Sequence, residues 1–178
     1  AGMSKAKVAT IWLDGCSGCH MSFLDIDERL LELARHIDLV YSPLVDNKVF
    51  PDQVDVALVE GAVASEEDLA KILKVRAHTK ILVAFGDCAV TSNVSGMRNP
   101  VGKDACLEHA YVELPTLNPG PPTSVVPRLL DKVRPVHEVV KVDVFVPGCP
   151  PSADAIFTVV SELLAGRIPD AAGLTRFG

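Results

Sequence analysis

The sequence predicts an α/β domain built on a mostly parallel sheet with helices on both faces. Short apolar runs rich in Val and Ile alternate with amphipathic segments along most of the chain, and the runs stop at glycine, proline or acidic turns. No internal repeat interrupts the alternation, and right-handed crossovers leave few topologies for such an order.

Val8 to Leu13 is a partly β-branched apolar run that stops at Asp14 and Gly15, the pattern of a buried strand. From His20 to Ile37, the residues Phe23, Ile26, Leu30, Leu33, Ala34 and Ile37 recur at helical spacing, with acids early and Arg35 and His36 late. That spacing predicts one amphipathic helix whose charges suit its dipole. Leu39 to Val45, interrupted by Pro43, reads as a strand near a sheet edge, and Val54 to Val59 as an internal strand ending at Glu60 and Gly61. Ser65 and Asp68 form a capping box at the head of a second helix, SEEDLAKILKVRAH. Lys80 to Phe85 is another strand, ended by Gly86, Asp87 and Cys88. Residues 91–103, rich in Asn, Ser, Gly and Pro, predict a long loop with little regular structure, and such loops in compact domains are usually functional. Pro115, Pro119, Pro121, Pro122 and Pro127 make a stiff connection, after which RLLDKV predicts a short helix. Val142 to Val146 is the last strand, and Ser152 caps a final helix with Ile156, Val159, Val160, Leu163 and Leu164 on one face, stopped at Gly166. Residues 1–178 read as a single domain, with a core over 1–114 completed by the connection, strand and helix of 115–178.

The composition is 48% hydrophobic with only 5% aromatic residues and a mean hydropathy of +0.28, an aliphatic excess that a large buried interface would explain. A net charge of -6 and a pI near 5.3 argue against a nucleic-acid or anionic-membrane surface, which needs a concentrated basic face, and the sequence shows no such stripe. No apolar run is long enough to span a bilayer, and AGMSKAKVATIW has no apolar signal core or paired arginines, so the expected location is cytoplasmic. In a reducing compartment, five cysteines, an odd number, point to metal ligands or buried thiols rather than disulfides.

Cys16, Cys88 and Cys149 each lie just beyond the carboxyl end of an expected strand, and Cys19 completes a C-x-x-C with Cys16. In a parallel sheet those ends share one edge, where distant loops can converge. Gly15, Gly18, Gly86 and Gly148 permit tight turns and bring bare N–H groups close to sulfur. Helices starting near His20 and Ser152 would turn their positive ends towards an anionic group at this edge. Proline directly after Cys149 matches the cysteine-proline pair that ends a bacterial ferredoxin motif. These features favour one [4Fe-4S] cluster on Cys16, Cys19, Cys88 and Cys149. A thioredoxin-like dithiol would leave Cys88 and Cys149 unexplained. A zinc-stapled structural or assembly module without a redox role is the alternative, although structural zinc commonly takes two close ligand pairs.

The segments WLDGCSGCHMSFLD, FGDCA and PGCPP together resemble the small subunit of [NiFe]-hydrogenases, and the first is most similar to the cytoplasmic, NAD-reducing branch. The resemblance implies a three-layer, flavodoxin-like domain in which Cys16, Cys19, Cys88 and Cys149 bind the proximal [4Fe-4S] cluster beside a large subunit carrying the nickel-iron centre. It further implies that the chain relays electrons towards iron-sulfur and flavin diaphorase subunits that reduce NAD. Longer, membrane-associated relatives add ligands for two further clusters and a twin-arginine signal; neither is expected here, and Cys106 alone cannot hold a second cluster. A related respiratory-complex subunit has adjacent cysteines in place of C-x-x-C, so CSGC favours the hydrogenase branch.

No side chain is nominated as acid, base or nucleophile. With neither G-x-G-x-x-G after a strand nor a phosphate-binding P-loop, NAD should bind in a partner subunit. FMN in this chain is unsupported, because Cys16 and Cys19 occupy the loop where a flavodoxin would seat its phosphate. Cys106 reads as a buried structural thiol on a short helix. His20 reads equally as a donor near the cluster or as an exposed first-turn residue, and Glu60 as a solvated loop acid before a site residue. His36, His78, His109 and His137 show no metal-ligand spacing.

Overall fold

A computed structural model describes residues 5–114 and 117–177. The elements are β1 (Ala6–Trp12), α1 (Gly18–Leu24), α2 (Arg29–Leu33), β2 (Ile37–Tyr41), β3 (Val54–Glu60), β4 (Val63–Ser65), α3 (Glu66–Ala77), β5 (Thr79–Phe85), α4 (Asp87–Thr91), α5 (Lys103–Glu108), β6 (Leu129–Arg134), β7 (Val144–Val146) and α6 (Ala153–Leu164). Five strands pair in parallel in the order β2-β1-β3-β5-β7, while β4 and β6 form a separate antiparallel ribbon. Among the parallel strands this is the flavodoxin-type order, with its topological switch between β1 and β3.

Side chains alternate across this sheet, and both faces are apolar because both are covered. Val8, Val56, Leu58, Val83, Phe85, Val144 and Val146 pack with α1, α2 and α6. Ala9, Ile11, Ala57, Val59, Leu82 and Ala84 pack with Ile72 and Val75 of α3 and Ala89 of α4. The expected three layers are present, and the Ser65–Asp68 capping box and the Ser152 cap head α3 and α6.

Three local expectations are corrected. The single helix over 20–37 is broken: α1 and α2 flank a turn in which Asp27 is left-handed (φ 57°), and Ile37 opens β2. Ile26, 2% exposed, is drawn into the core at that turn, so burial overrides helical continuity. RLLDKV is the strand β6, not a helix. Pro127 and Pro135 bound it and favour extended backbone before each proline, and β4, missed in the sequence, supplies its partner through Val63–Arg134 and Ser65–Leu129 pairs. Residues 91–103 are more ordered than expected, with a 3-10 turn at Ser95–Arg98. Arg98 donates to the carbonyls of Ala64 and Leu130 at 3.1 and 2.8 Å, and Asn99 exchanges hydrogen bonds with Val133, pinning this segment to the ribbon. Pro115 of the stiff connection lies outside the described residues; 117–128 contain neither helix nor strand. No helix among the described residues is long and apolar enough to cross a membrane.

The short edge strand β7 is held partly by charge. Arg76 of α3 donates to Asp143 at 2.6 Å, and the same carboxylate accepts from Leu82 N–H at 2.9 Å. Burial works to raise the Asp143 carboxyl, yet the Leu82 N–H and the Arg76 guanidinium outweigh it and hold the group below its ordinary value of 3.8. A depressed carboxyl contributes stability that is present above its unfolded pKa and lost as pH falls through the folded one. Asp143→Asn is therefore expected to flatten the acid limb of a plot of urea midpoint against pH; an unaltered limb would place that acid sensitivity elsewhere.

Candidate metal centre

The carboxyl ends of β1, β3, β5 and β7 lie on one edge of the sheet, next to the topological switch. Cys16 and Cys19 follow β1, Cys88 sits in the turn of helix after β5, Cys149 follows β7, and Glu60 is the last residue of β3. Hydrogen bonds lock these exits together. Asp14 and Ala62 exchange backbone bonds at 3.1 and 2.8 Å, joining the exits of β1 and β3. Gly86 N–H donates to Val146 at 2.8 Å, Asp87 N–H to Gly148 at 2.9 Å, and Gly148 N–H to the Asp87 carboxylate at 2.6 Å, joining the Cys88 and Cys149 turns. Ser22 of α1 donates to the Pro151 carbonyl at 2.6 Å, closing the circuit.

Two glycines make this convergence possible. At Gly86 (φ +85°) a methyl group would overlap the Cys19 sulfur, and at Gly61 (φ +91°) it would come within 2.8 Å of the Leu13 carbonyl carbon.

Cys19 is buried, Cys88 half-buried, and Cys16 and Cys149 are exposed. Burial pushes the Cys19 thiol above the ordinary range, and the charges of Glu60, Cys88, Cys16 and Cys149 push it the same way. The Cys88 thiol is raised by burial, then by Cys149 and Cys16, against N–H groups of Val94 and Ser95 that favour its thiolate. The four sulfurs thus share one neighbourhood, in which bare thiolates would repel one another. A cationic core is what such a donor set suits, since a coordinating thiol is deprotonated outright. All-sulfur ligation from four cysteines suits an iron-sulfur cluster, and a structural zinc ion as well. N–H donors already face the rim: Gly18 N lies 3.4 Å from the Cys16 sulfur and Asn93 Nδ2 3.5 Å from that of Cys149. Among the described residues, no group of three or more His, Cys, Asp or Glu side chains is arranged to hold a single metal ion.

The reading of Glu60 as a solvated acid and of His20 as an exposed residue is corrected. Glu60 is 1% and His20 3% exposed, and the Glu60 carboxylate pairs with His20 Nδ1. The same carboxylate accepts from the N–H groups of His20 at 3.0 Å and Cys19 at 3.4 Å. It thereby caps α1, whose own N-cap, Ser17, makes no side-chain bond. Behind the pair, His20 Nε2 lies 3.0 Å from Thr10 Oγ1, which donates to Ser42 at 2.7 Å. Thr10 and Ser42 were missed in the sequence. Their only signal was one hydroxyl within each of two expected strands, and Ser42 in fact lies just past the end of β2.

Cys106 lies on α5 and is half-buried rather than buried. The remaining histidines make local contacts: His78 with the Asp52 carbonyl, His109 with Glu113, and His137 with the Phe145 ring, while His36 is exposed.

Residues 16–163 match the family model described as NADH ubiquinone oxidoreductase, 20 Kd subunit. The chain is 47% identical over 168 residues to the NAD-reducing hydrogenase HoxS subunit delta of Cupriavidus necator, covering 92% of this chain and 80% of that protein. It is 39% identical over 165 residues to a subunit of the F420-non-reducing hydrogenase vhu of Methanocaldococcus jannaschii, covering 92% of this chain but only 57% of that protein. Against a solved chain of an NAD+-reducing [NiFe]-hydrogenase in the H2-reduced state, the TM-score is 0.92 at 40% identity, covering 98% of this chain and 100% of that one.

Proposed function

We propose that this chain, which belongs to the NADH ubiquinone oxidoreductase 20 Kd subunit family and within it to the small subunits of NAD-reducing hydrogenases, is the electron-transfer subunit of a soluble [NiFe]-hydrogenase. In this reading Cys16, Cys19, Cys88 and Cys149 hold one proximal [4Fe-4S] cluster, and the chain relays electrons between a nickel-iron site in the large subunit and diaphorase subunits that reduce NAD. The observation that carries it is the meeting of three distant cysteine loops on one sheet edge, in a chain 47% identical to a subunit of an NAD-reducing hydrogenase.

When bound, the cluster supplies a one-electron carrier whose potential follows its charge, hydrogen bonds and exposure. The chain's residues do the rest. The Asp14–Ala62 and Asp87–Gly148 bonds hold the ligand loops in register, Glu60 fixes the start of α1 beneath Cys19, and the buried Cys19 shields one side from water. Exposed apolar side chains accompany the ligands: Trp12, Met21, Val94 and Met97. Beside the exposed Cys16 and Cys149, they suit a covering large subunit better than open solvent.

The test is anaerobic isolation of the chain with its co-purifying partners, followed by iron, sulfide, nickel and zinc analysis and EPR under hydrogen. About four irons in this chain and nickel in a partner are expected, with a cluster signal that grows under hydrogen and decays on adding NAD. Zinc in place of iron, or iron that hydrogen leaves oxidised, would overturn the reading.

A further inference from the structure

We infer that Asn93 raises the reduction potential of whatever cluster the four cysteines hold, its side-chain amide acting on Cys149. The inference rests on the cluster reading above.

The placement begins with the backbone. Ser92 (φ 69°) and Asn93 (φ 31°) are consecutive non-glycine residues with positive φ, a backbone that most side chains rarely adopt. Two such residues together turn the chain sharply after α4. There the Asn93 side chain reaches over to the Cys149 sulfur, its Nδ2 at 3.5 Å. A residue just after α4 thus meets a sulfur carried 56 residues farther along the chain.

The segment is also braced from outside. Ser95 Oγ donates to the Asp14 carbonyl at 3.0 Å, and Gly96 N–H returns to Ser92 at 2.9 Å. Farther along, Arg98 and Asn99 fasten it to the β4–β6 ribbon. The segment that carries the Asn93 amide is thus fastened to the exit of β1 and to the ribbon.

A donor to a ligand sulfur stabilises the reduced, more negative state over the oxidised one, which raises the potential. Asn93 is in this sense a positioning residue: it acts through Cys149 and carries no electron. Asparagine suits the position twice over, because it tolerates left-handed backbone and offers an N–H at its tip.

The experiment uses the complex with its partners, measuring iron and sulfide per chain and the midpoint potential by EPR-monitored redox titration. Asn93→Asp keeps the shape and the backbone preference but turns a donor into an anionic acceptor; Asn93→Gly keeps the backbone and removes the side chain. Both are expected to retain full iron and sulfide. Both should lower the potential, with aspartate lowest, changing the oxidised-to-reduced ratio at a fixed solution potential by about tenfold, equivalent to about 59 mV for one electron. Equal potentials in all three proteins would overturn the inference, and so would loss of iron in Asn93→Gly, since the amide would then retain the cluster rather than tune it. A wild-type complex without iron would instead bring down the cluster reading itself.

Discussion

Serine at any one of the four positions, Cys16→Ser, Cys19→Ser, Cys88→Ser or Cys149→Ser, is expected to take the chain from about four irons to near none, while Cys106→Ser keeps full iron and sulfide. A serine hydroxyl is a far weaker ligand than a thiolate, and each cysteine arrives on a backbone already committed by its neighbours. The loops cannot shift to substitute another donor, because the Asp14–Ala62 bridge and the Asp87–Gly148 bonds fix their exits. Cys106 sits on α5, outside this frame. Far-UV circular dichroism of the variants should stay that of the parent, since the residues behind the four sulfurs belong to a packed sheet that does not need them. A chain that loses iron only on Cys106→Ser would refute the ligand set.

Glu60→Ala is expected to destabilise the full chain by about 2–4 kcal/mol, since several buried polar groups lose their acceptor together and each such loss costs about 1–3 kcal/mol. The loss has two parts. His20 would be left in the core without its carboxylate, and the N–H groups of His20 and Cys19 would lose their acceptor. Glu60→Gln preserves the shape and one accepting oxygen and should cost about 1–2 kcal/mol. Urea unfolding monitored by circular dichroism gives both numbers. An alanine variant within about 1 kcal/mol of the parent would mean that the pair is not what holds the start of α1.

The sheet was readable because its strands are apolar on both faces and each stops at a turn residue, so the four cysteines proposed as ligands could be placed at or just beyond strand ends from residue order alone. The breaks were not readable. Ile26 and Asp27 continue a helical spacing, and only the demand that Ile26 reach the core reveals that the helix must stop there. Likewise, RLLDKV has helical composition, and its strand state depends on Val63–Ser65, some sixty residues away in the chain. The same limit hid the support of the site. Thr10, His20, Ser42 and Glu60 are ordinary alone and become a network only when three strand ends and one helix start are brought together. The proposed ligands carry a local signature in cysteine, glycine and proline; the groups that hold them in place are chosen by tertiary neighbours.

The placement of Cys149 after β7, at the edge of the sheet, bears on biosynthesis. Translation delivers Cys16 and Cys19 first, then Cys88, and the fourth thiol only with the last strand of the sheet, which pairs with β5 alone. Residue order alone therefore puts three of the sulfurs ahead of the fourth, and all four can meet only once β7 has paired with β5.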